Sequence, residues 1–387
     1  MLGAAIALQD AAATAVLRPR RAALQDAARA LLLRAAQAPV ATSPALELAM
    51  KFANVSIRTL AHVDAPHRVT SAELSARLGP ALQRLGIRPD VLESASGVVA
   101  RRYWDEGVQP SQAATLAAEK AIAASGVDRS KIGVLVSTSV CRDYVEPSVA
   151  CLVHGNLKLS PDCMNFDIGN ACLAFLNGMQ IVGNMIERGQ IDYGLVVDGE
   201  GARYVQDRTI ERLLLPETTP KEFRDQFATL TLGSGSAAML LCRSDLAPDG
   251  HRFVGTVSKA ATEYSHLCRG QVDKMETDGK TLLLAGLAVA ATTWTEAQAQ
   301  LGWSGEAIDE FVLHQVSGPH TTMLCEQLGL PREKVLAIFA EFGNIGPASV
   351  PIALSKAVEA GRVKKGSRVG LLGIGSGLNC SMAEVVW

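Results

Sequence analysis

Two pairs of β-rich runs stand at one fixed separation in this chain. Ile132 matches Ile308 and Ile191 matches Ser367; 308 − 132 and 367 − 191 both equal 176. Two strand-like segments sharing one offset point to a duplicated αβ unit, although the residue identity between the copies is weak. The first copy reads as a helix over Pro110–Val127, a strand over Lys131–Val140, a helix in EPSVACLVHGNL, a strand and helix around Cys172, and the strand IDYGLVVDGE. The second reads as the helical run TLLLAGLAVAATTWTEAQAQLG, the strand AIDEFVLHQV, the helix PHTTMLCEQLGL, a further helix, and the strand SRVGLLGIGSG. Strand–helix alternation of this kind marks an α/β protein with a mostly parallel, layered sheet. Residues 201–230 are more polar, with Pro216 and Pro220, and read as an excursion before the strand Gly233–Cys242.

The offset places three reactive residue types at strand ends. His314 ends a strand where Thr138 ends its counterpart, and Asn344 falls in the turn equivalent to the one before Cys172. Open α/β sheets put their sites at such ends. Cys172 lies in FDIGNACLAF, where a strand turning sharply into a helix sets it in the helix's first turn. Unpaired N–H groups and the macrodipole there favour a thiolate, and hence a nucleophile. Taken singly, Cys172 also reads as a buried structural thiol, His314 as a core histidine and Asn344 as a turn residue. His62, His67, His154, His251, His266 and His320 have no such company and read as structural or surface residues.

Composition removes several classes. With a net charge of −2 over 387 residues and no basic cluster in the body of the chain, nucleic acid is not expected as a partner. Eight cysteines without a CxxC pair argue against a zinc site or a disulfide framework and fit a reducing cytoplasm. No apolar run is long enough to span a bilayer, so no integral membrane segment is expected. Residues 1–49 form an Ala/Arg-rich extension with no Lys and only Asp10, Asp26 and Glu47 as acids. Such a stretch can mimic a transit peptide. Met50-Lys51-Phe52 reads as the natural start, and a chain beginning at Met50 is expected to fold and work. The two halves are expected at 50–230, with Cys172, and at 231–387, with His314 and Asn344.

NAC at 170–172, LHQV at 313–316, FGNIGPASVP at 342–351 and the terminal GIGSGLNCSM occur in an order that resembles the thiolase superfamily. Within it they resemble the ketoacyl synthase III branch, with a Cys–His–Asn triad. The resemblance runs from about Met50 to Trp387. It implies duplicated βαβαβαββ halves in a five-layer α-β-α-β-α core, a homodimer, and no metal or redox cofactor. It also implies roles. Cys172 would take an acyl group from a thioester. His314 and Asn344 would hold the enolate-like oxygen of a second substrate, and the N–H groups of Cys172 and Gly377 would form an oxyanion hole.

Three comparisons bear on the branch. Thiolases carry a second catalytic cysteine just before the C-terminal Gly-rich loop; here Leu371 and Leu372 stand there and Cys380 lies beyond it. Ketoacyl synthase III usually has Asp between two glycines where this chain has Gly233-Ser234-Gly235. That enzyme also tends to have an apolar residue before the Pro-Ser opening the helix, where this chain has Glu146. Alone, Glu146 reads equally as an acid at a helix start. The pattern RDYVEPS, NACLAF, HQVS and GNIGPASVP is most similar to the OleA family, which opens bacterial long-chain olefin synthesis. That resemblance implies that Glu146 reaches the partner subunit's site as the α-proton base. Two long-chain acyl-CoA molecules would then undergo non-decarboxylative Claisen condensation to a 2-alkyl-3-keto acid, passed to downstream olefin-pathway enzymes. The alternatives are a decarboxylating synthase using a malonyl donor, and a non-catalytic acyl-binding subunit.

Overall fold

The computed structural model describes residues 49–387. All but the last residue of the expected 1–49 extension therefore lies outside the described residues.

Nine strands make the core: β1 (Val55–Asp64), β2 (Ile132–Ser137), β3 (Met164–Asp167), β4 (Tyr193–Glu200), β5 (Gly235–Arg243), β6 (His251–Ala260), β7 (Glu310–Leu313), β8 (Arg368–Gly375) and β9 (Asn379–Val386). Their spatial order is β7-β8-β9-β6-β1-β5-β4-β2-β3. The first half holds β1, β5, β4, β2 and β3, and the second holds β7, β8, β9 and β6. The halves join where Ser56 and Ile57 pair with Arg252 and His251. The duplication shows in the pairing. β2 is parallel to β4 (Leu135↔Leu195), and β4 is antiparallel to β5, which is antiparallel to β1. Likewise β7 is parallel to β8 (Leu313↔Leu372), and β8 is antiparallel to β9, which is antiparallel to β6.

This pairing moves the boundary expected at residues 230/231. β5 closes the first half's sheet, lying between β1 and β4, just as β9 closes the second. The halves therefore meet in the turn before β6.

Six helices fill the layers: α1 (Pro110–Ser125), α2 (Val149–Leu157), α3 (Ala174–Glu187), α4 (Gly279–Leu301), α5 (Gly318–Leu328) and α6 (Ser349–Glu359). α1 starts with Pro110 in its first turn and a reciprocal Gln109–Gln112 cap, and stops at Gly126 with φ +66°. Its small face is needed for close approach. A Cβ on Gly199 of β4 would meet the Pro110 carbonyl at 2.2 Å. α1 and α2 cover one face of the first sheet, packing Ala114, Ala118, Val153 and Leu157 on Leu135 and Leu195. α4 and α5 cover the second with Leu287, Trp294, Leu324 and Leu328 against Phe311 and Met382. α3 and α6 lie between the sheets, bringing Phe175, Leu176, Met179 and Val182 into one core with Val350, Ile352 and Leu354. Each such side chain gains about 1.5–3 kcal/mol on burial, which holds both helices in the interior. The result is the five-layer α-β-α-β-α thiolase arrangement.

The polar excursion has a small core of its own. Helices Arg203–Leu214 and Pro220–Gln226 pack Ile210, Leu213 and Phe223 against Leu74, Leu78, Leu82 and Leu92.

Candidate active site

The duplication sets up the site at equivalent strand ends. Just past β2, the Thr138 N–H donates to the Val197 carbonyl at 2.9 Å. Just past β7, the His314 N–H donates to the Leu372 carbonyl at 2.7 Å. The chain beyond His314 is tied down by Gln315. Its amide donates to the Leu336 carbonyl at 2.6 Å and accepts the N–H groups of Ile338 (2.6 Å) and Phe339 (3.0 Å). The His314 ring is buried with Nδ1 unpartnered. Burial, with His320 nearby, pushes its pKa down to about 3, so the imidazole is neutral at physiological pH.

Cys172 sits in the short turn Ala171–Leu173 between β3 and α3. The residue before it, Ala171, has φ +45°. A non-glycine residue in that region costs about 1–2 kcal/mol, and the surroundings must enforce it. They do so through glycines in β8. A Cβ on Gly375 would stand 2.8 Å from the Asn170 carbonyl oxygen, and one on Gly373 would stand 2.7 Å from Leu173 and Leu176. Gly377, at φ +146°, follows in the loop to β9. The Cys172 turn also packs against the turn Gly346–Ala348, which follows Asn344.

Asn344 is fixed through its backbone and its side chain. Its N–H donates to the Thr231 carbonyl at 2.9 Å, and its carbonyl accepts the Gly233 N–H at 2.8 Å. Its side-chain Oδ1 accepts the Gly346 N–H at 2.9 Å. The Nδ2 group is thereby left as the free donor. Ser234, between Gly233 and Gly235, accepts the Ala202 N–H on its hydroxyl at 2.9 Å.

The expected thiolate is not what the site favours. Burial, then the carboxyl of Glu200, then Cys268 and Asp198, push the Cys172 thiol up to about 12. Glu200 and Asp198 close β4 on one face of the strand, and both are buried. Glu200 accepts the Val140 N–H at 2.6 Å, and burial raises its pKa to about 7. The Asp198 carboxyl is raised well above its ordinary range by burial and by Glu200, and accepts the Thr138 hydroxyl at 2.6 Å. Low local polarity and two acids outweigh the helix start. The surroundings of Cys172 therefore favour the thiol over the thiolate.

Glu146 stands apart. It is exposed in the segment before α2, whose N-cap is Ser148, so it lies outside the helix's first turn. Within the described residues no hydrogen bond joins it to Cys172, His314 or Asn344. Its neighbours Tyr144 and Val145 are 60% and 88% exposed.

Residues 166–261 match the family model for 3-oxoacyl-[acyl-carrier-protein] synthase III, and residues 298–387 match the model for its C-terminal part. An acyl-CoA:acyl-CoA alkyltransferase from Xanthomonas campestris pv. campestris is 56% identical over 338 residues, covering 87% of this chain and 100% of that protein. This chain belongs to the acyl-CoA:acyl-CoA alkyltransferase family. A second alkyltransferase, from Shewanella oneidensis, is 37% identical over 350 residues, covering 87% of this chain and all of that one. Solved structures extend the likeness. A glutamate-to-alanine variant of Xanthomonas campestris OleA is 56% identical with a TM-score of 0.86, over 87% of this chain and 99% of that one. A cysteine-to-serine variant of the same alkyltransferase, at 56% identity and a TM-score of 0.85, holds lauric acid and lauroyl-CoA and is matched over its whole length and 87% of this chain. Histidine variants of it have also been solved. Among the described residues no helix is long and apolar enough to cross a membrane.

Glu200, Asp198 and His320 were missed by sequence reasoning. His320 is drawn beside His314, with Nδ1 also unpartnered, and burial pushes it down to about 4. For the two acids a signal existed: in IDYGLVVDGE, residues 198 and 200 share a strand face.

Proposed function

We propose that this chain condenses two long-chain acyl-CoA molecules without decarboxylation, as the first step towards a long-chain olefin. The observation that carries the reading is one of spacing. The glutamate, cysteine and histidine substituted in the Xanthomonas campestris structures are separated by the same two intervals as Glu146, Cys172 and His314 here. A glutamate in that set supports a reaction that needs an α-proton removed, which loss of carbon dioxide from a malonyl donor does not.

The Cys172 sulfur attacks the first thioester carbonyl, its proton goes to the departing coenzyme A sulfur, and an acyl-Cys172 forms. The N–H groups of Cys172 and Gly377 hold the oxyanion. The partner subunit's Glu146 removes an α-proton from the second acyl-CoA. The charge that develops on that thioester's oxygen is met by Asn344 Nδ2 and by neutral His314. The carbanion attacks the acyl-Cys172 carbonyl and expels the thiolate, which takes up a proton. Water then cleaves the remaining thioester, leaving a 2-alkyl-3-keto acid and the second coenzyme A. The scheme draws on no metal or redox cofactor.

A homodimer is part of this reading. Edge strand β3 is paired on one side only, Met164 on it is half exposed, and Val140, Tyr144 and Val145 add apolar surface beside Glu146. Free thiols at Cys141, Cys151, Cys163, Cys172, Cys242, Cys268, Cys325 and Cys380 fit a cytoplasmic site. An unstable keto acid fits hand-over to further enzymes of an olefin pathway.

The family-model match favours a second reading, a decarboxylating 3-oxoacyl synthase. Glu146→Gln separates the two. The proposed reaction predicts that Cys172 still acylates while condensation falls by about a hundredfold or more. Unimpaired condensation that needs a malonyl donor would establish the second reading.

A further inference from the structure

The two N–H groups assigned to the oxyanion hole lie on loops from opposite halves of the fold. Asn170, two residues before Cys172, and Asn379, two residues after Gly377, join these loops through their side chains. Asn379 Nδ2 donates to Asn170 Oδ1 at 3.0 Å. Glycine at 377 makes room for this bond, because a Cβ there would stand 2.7 Å from the same Asn379 Nδ2.

The bond begins a row of amides that all donate in one direction. Asn170 Nδ2 donates to Asn177 Oδ1 at 2.7 Å, and Asn177 Nδ2 donates to Gln180 Oε1 at 2.8 Å. Gln180 Nε2 donates to the Thr256 hydroxyl at 2.7 Å. The row leaves the second half at Asn379, runs along α3 of the first, and returns to the second at β6. Gln180 is buried and the three asparagines are partly so; amides withdrawn from water are costly unless paired, and an apolar seam would hold two halves together at least as well. What a row of directional bonds adds is position. An oxyanion donor works only within a few tenths of an ångström of its place.

We propose that Asn379 is a positioning residue: its amide holds the Gly377 loop against the Cys172 turn so that both N–H groups face one thioester oxygen. The inference rests on the reading of Cys172 as nucleophile. Asn379 touches no substrate in this account and acts through Asn170 and the backbone of Gly377.

The test is pre-steady-state acylation of the full-length enzyme by myristoyl-CoA, following coenzyme A release and the acyl adduct on Cys172 by mass. N379A removes the amide, and N379D keeps its shape without the donor, so that a folded variant is in hand. Both should acylate about tenfold or more slowly, with the half-saturating acyl-CoA concentration within about twofold of wild type. N170A combined with N379A should be no slower than the slower single variant, because both cut one contact. Wild-type acylation by folded N379D, a loss confined to half-saturation, or additive losses in the double variant would overturn the inference. Turnover by wild type with no adduct on Cys172 would instead bring down the nucleophile assignment, and this inference with it.

Discussion

Asn344 Oδ1 accepts the Gly346 N–H at 2.9 Å, and this bond leaves the Nδ2 end of the amide as the one free to donate. An oxygen already engaged leaves the NH2 group as the donor, matching the need of an oxygen that gains charge. Asn344→Asp keeps the shape and the Gly346 bond but presents a second oxygen in place of the donor. Condensation should fall by about a hundredfold or more, while acylation of Cys172 stays within several-fold of wild type. Single-turnover mass analysis of the acyl-enzyme reads both numbers. Equal losses in the two steps would show that Asn344 serves the fold rather than the second substrate.

Glu146 is exposed within its own chain, and the proposed reaction has it act in trans. Glu146→Gln and Cys172→Ala homodimers should each be inactive in condensation. Mixed dimers from co-expression should regain activity, because one of their two sites carries both an intact Cys172 and an intact Glu146. No recovery in purified heterodimers would place Glu146 in the site of its own chain.

Glu200 makes stability depend on pH, and the sign can be worked out. Burial raises its pKa in the folded chain to about 7, against an ordinary 4.5. Between those values the unfolded chain has given up a proton that the folded chain keeps, so stability falls as pH rises through that window. Gln at 200 can still accept the Val140 N–H and removes this slope. Urea unfolding at pH 5 and pH 8 should show wild type losing more stability than E200Q across that window, on the order of 1 kcal/mol or more. Removing the Glu200 charge should also make Cys172 easier to ionise, and faster to react with iodoacetamide at pH 8. Parallel pH profiles for the two proteins would remove Glu200 from this role.

Glycines at Gly233 and Gly86 are predicted to differ sharply. A Cβ on Gly233 would stand 1.8 Å from the Phe342 carbonyl oxygen, in the backbone contact that seats Asn344. G233A should lose more than about 4 kcal/mol and yield little folded protein. Gly86 has φ +64° with nothing within 4 Å of a Cβ, so G86A should cost only about 1 kcal/mol. Comparable melting temperatures for the two variants would contradict the packing described at Gly233.

Much of this was legible in the sequence because the signals are local. The shared offset foretold that Thr138 and His314 end equivalent strands, and their matching backbone bonds to Val197 and Leu372 bear this out. The FDIGNAC run foretold a sharp turn into a helix. What was not legible is what lies far along the chain. The expected thiolate is disfavoured first by burial and then by the carboxyls of Glu200 and Asp198 from another strand, and acids at a strand's end read as solvent-facing. β5 was put in the wrong half because sequence order does not reveal that a strand returns between two earlier ones. Asn170 and Asn379 are 209 residues apart, and neither has a neighbour that announces the bond.

The most direct measurement is purified enzyme given myristoyl-CoA as its only substrate, with free thiol counted and extracted products weighed. The proposed condensation should release two thiols per condensed molecule continuously, with a 2-alkyl-3-keto acid or the ketone left when it loses carbon dioxide. Thiol release stopping at about one per site, with condensation only after a malonyl donor is added, would contradict it.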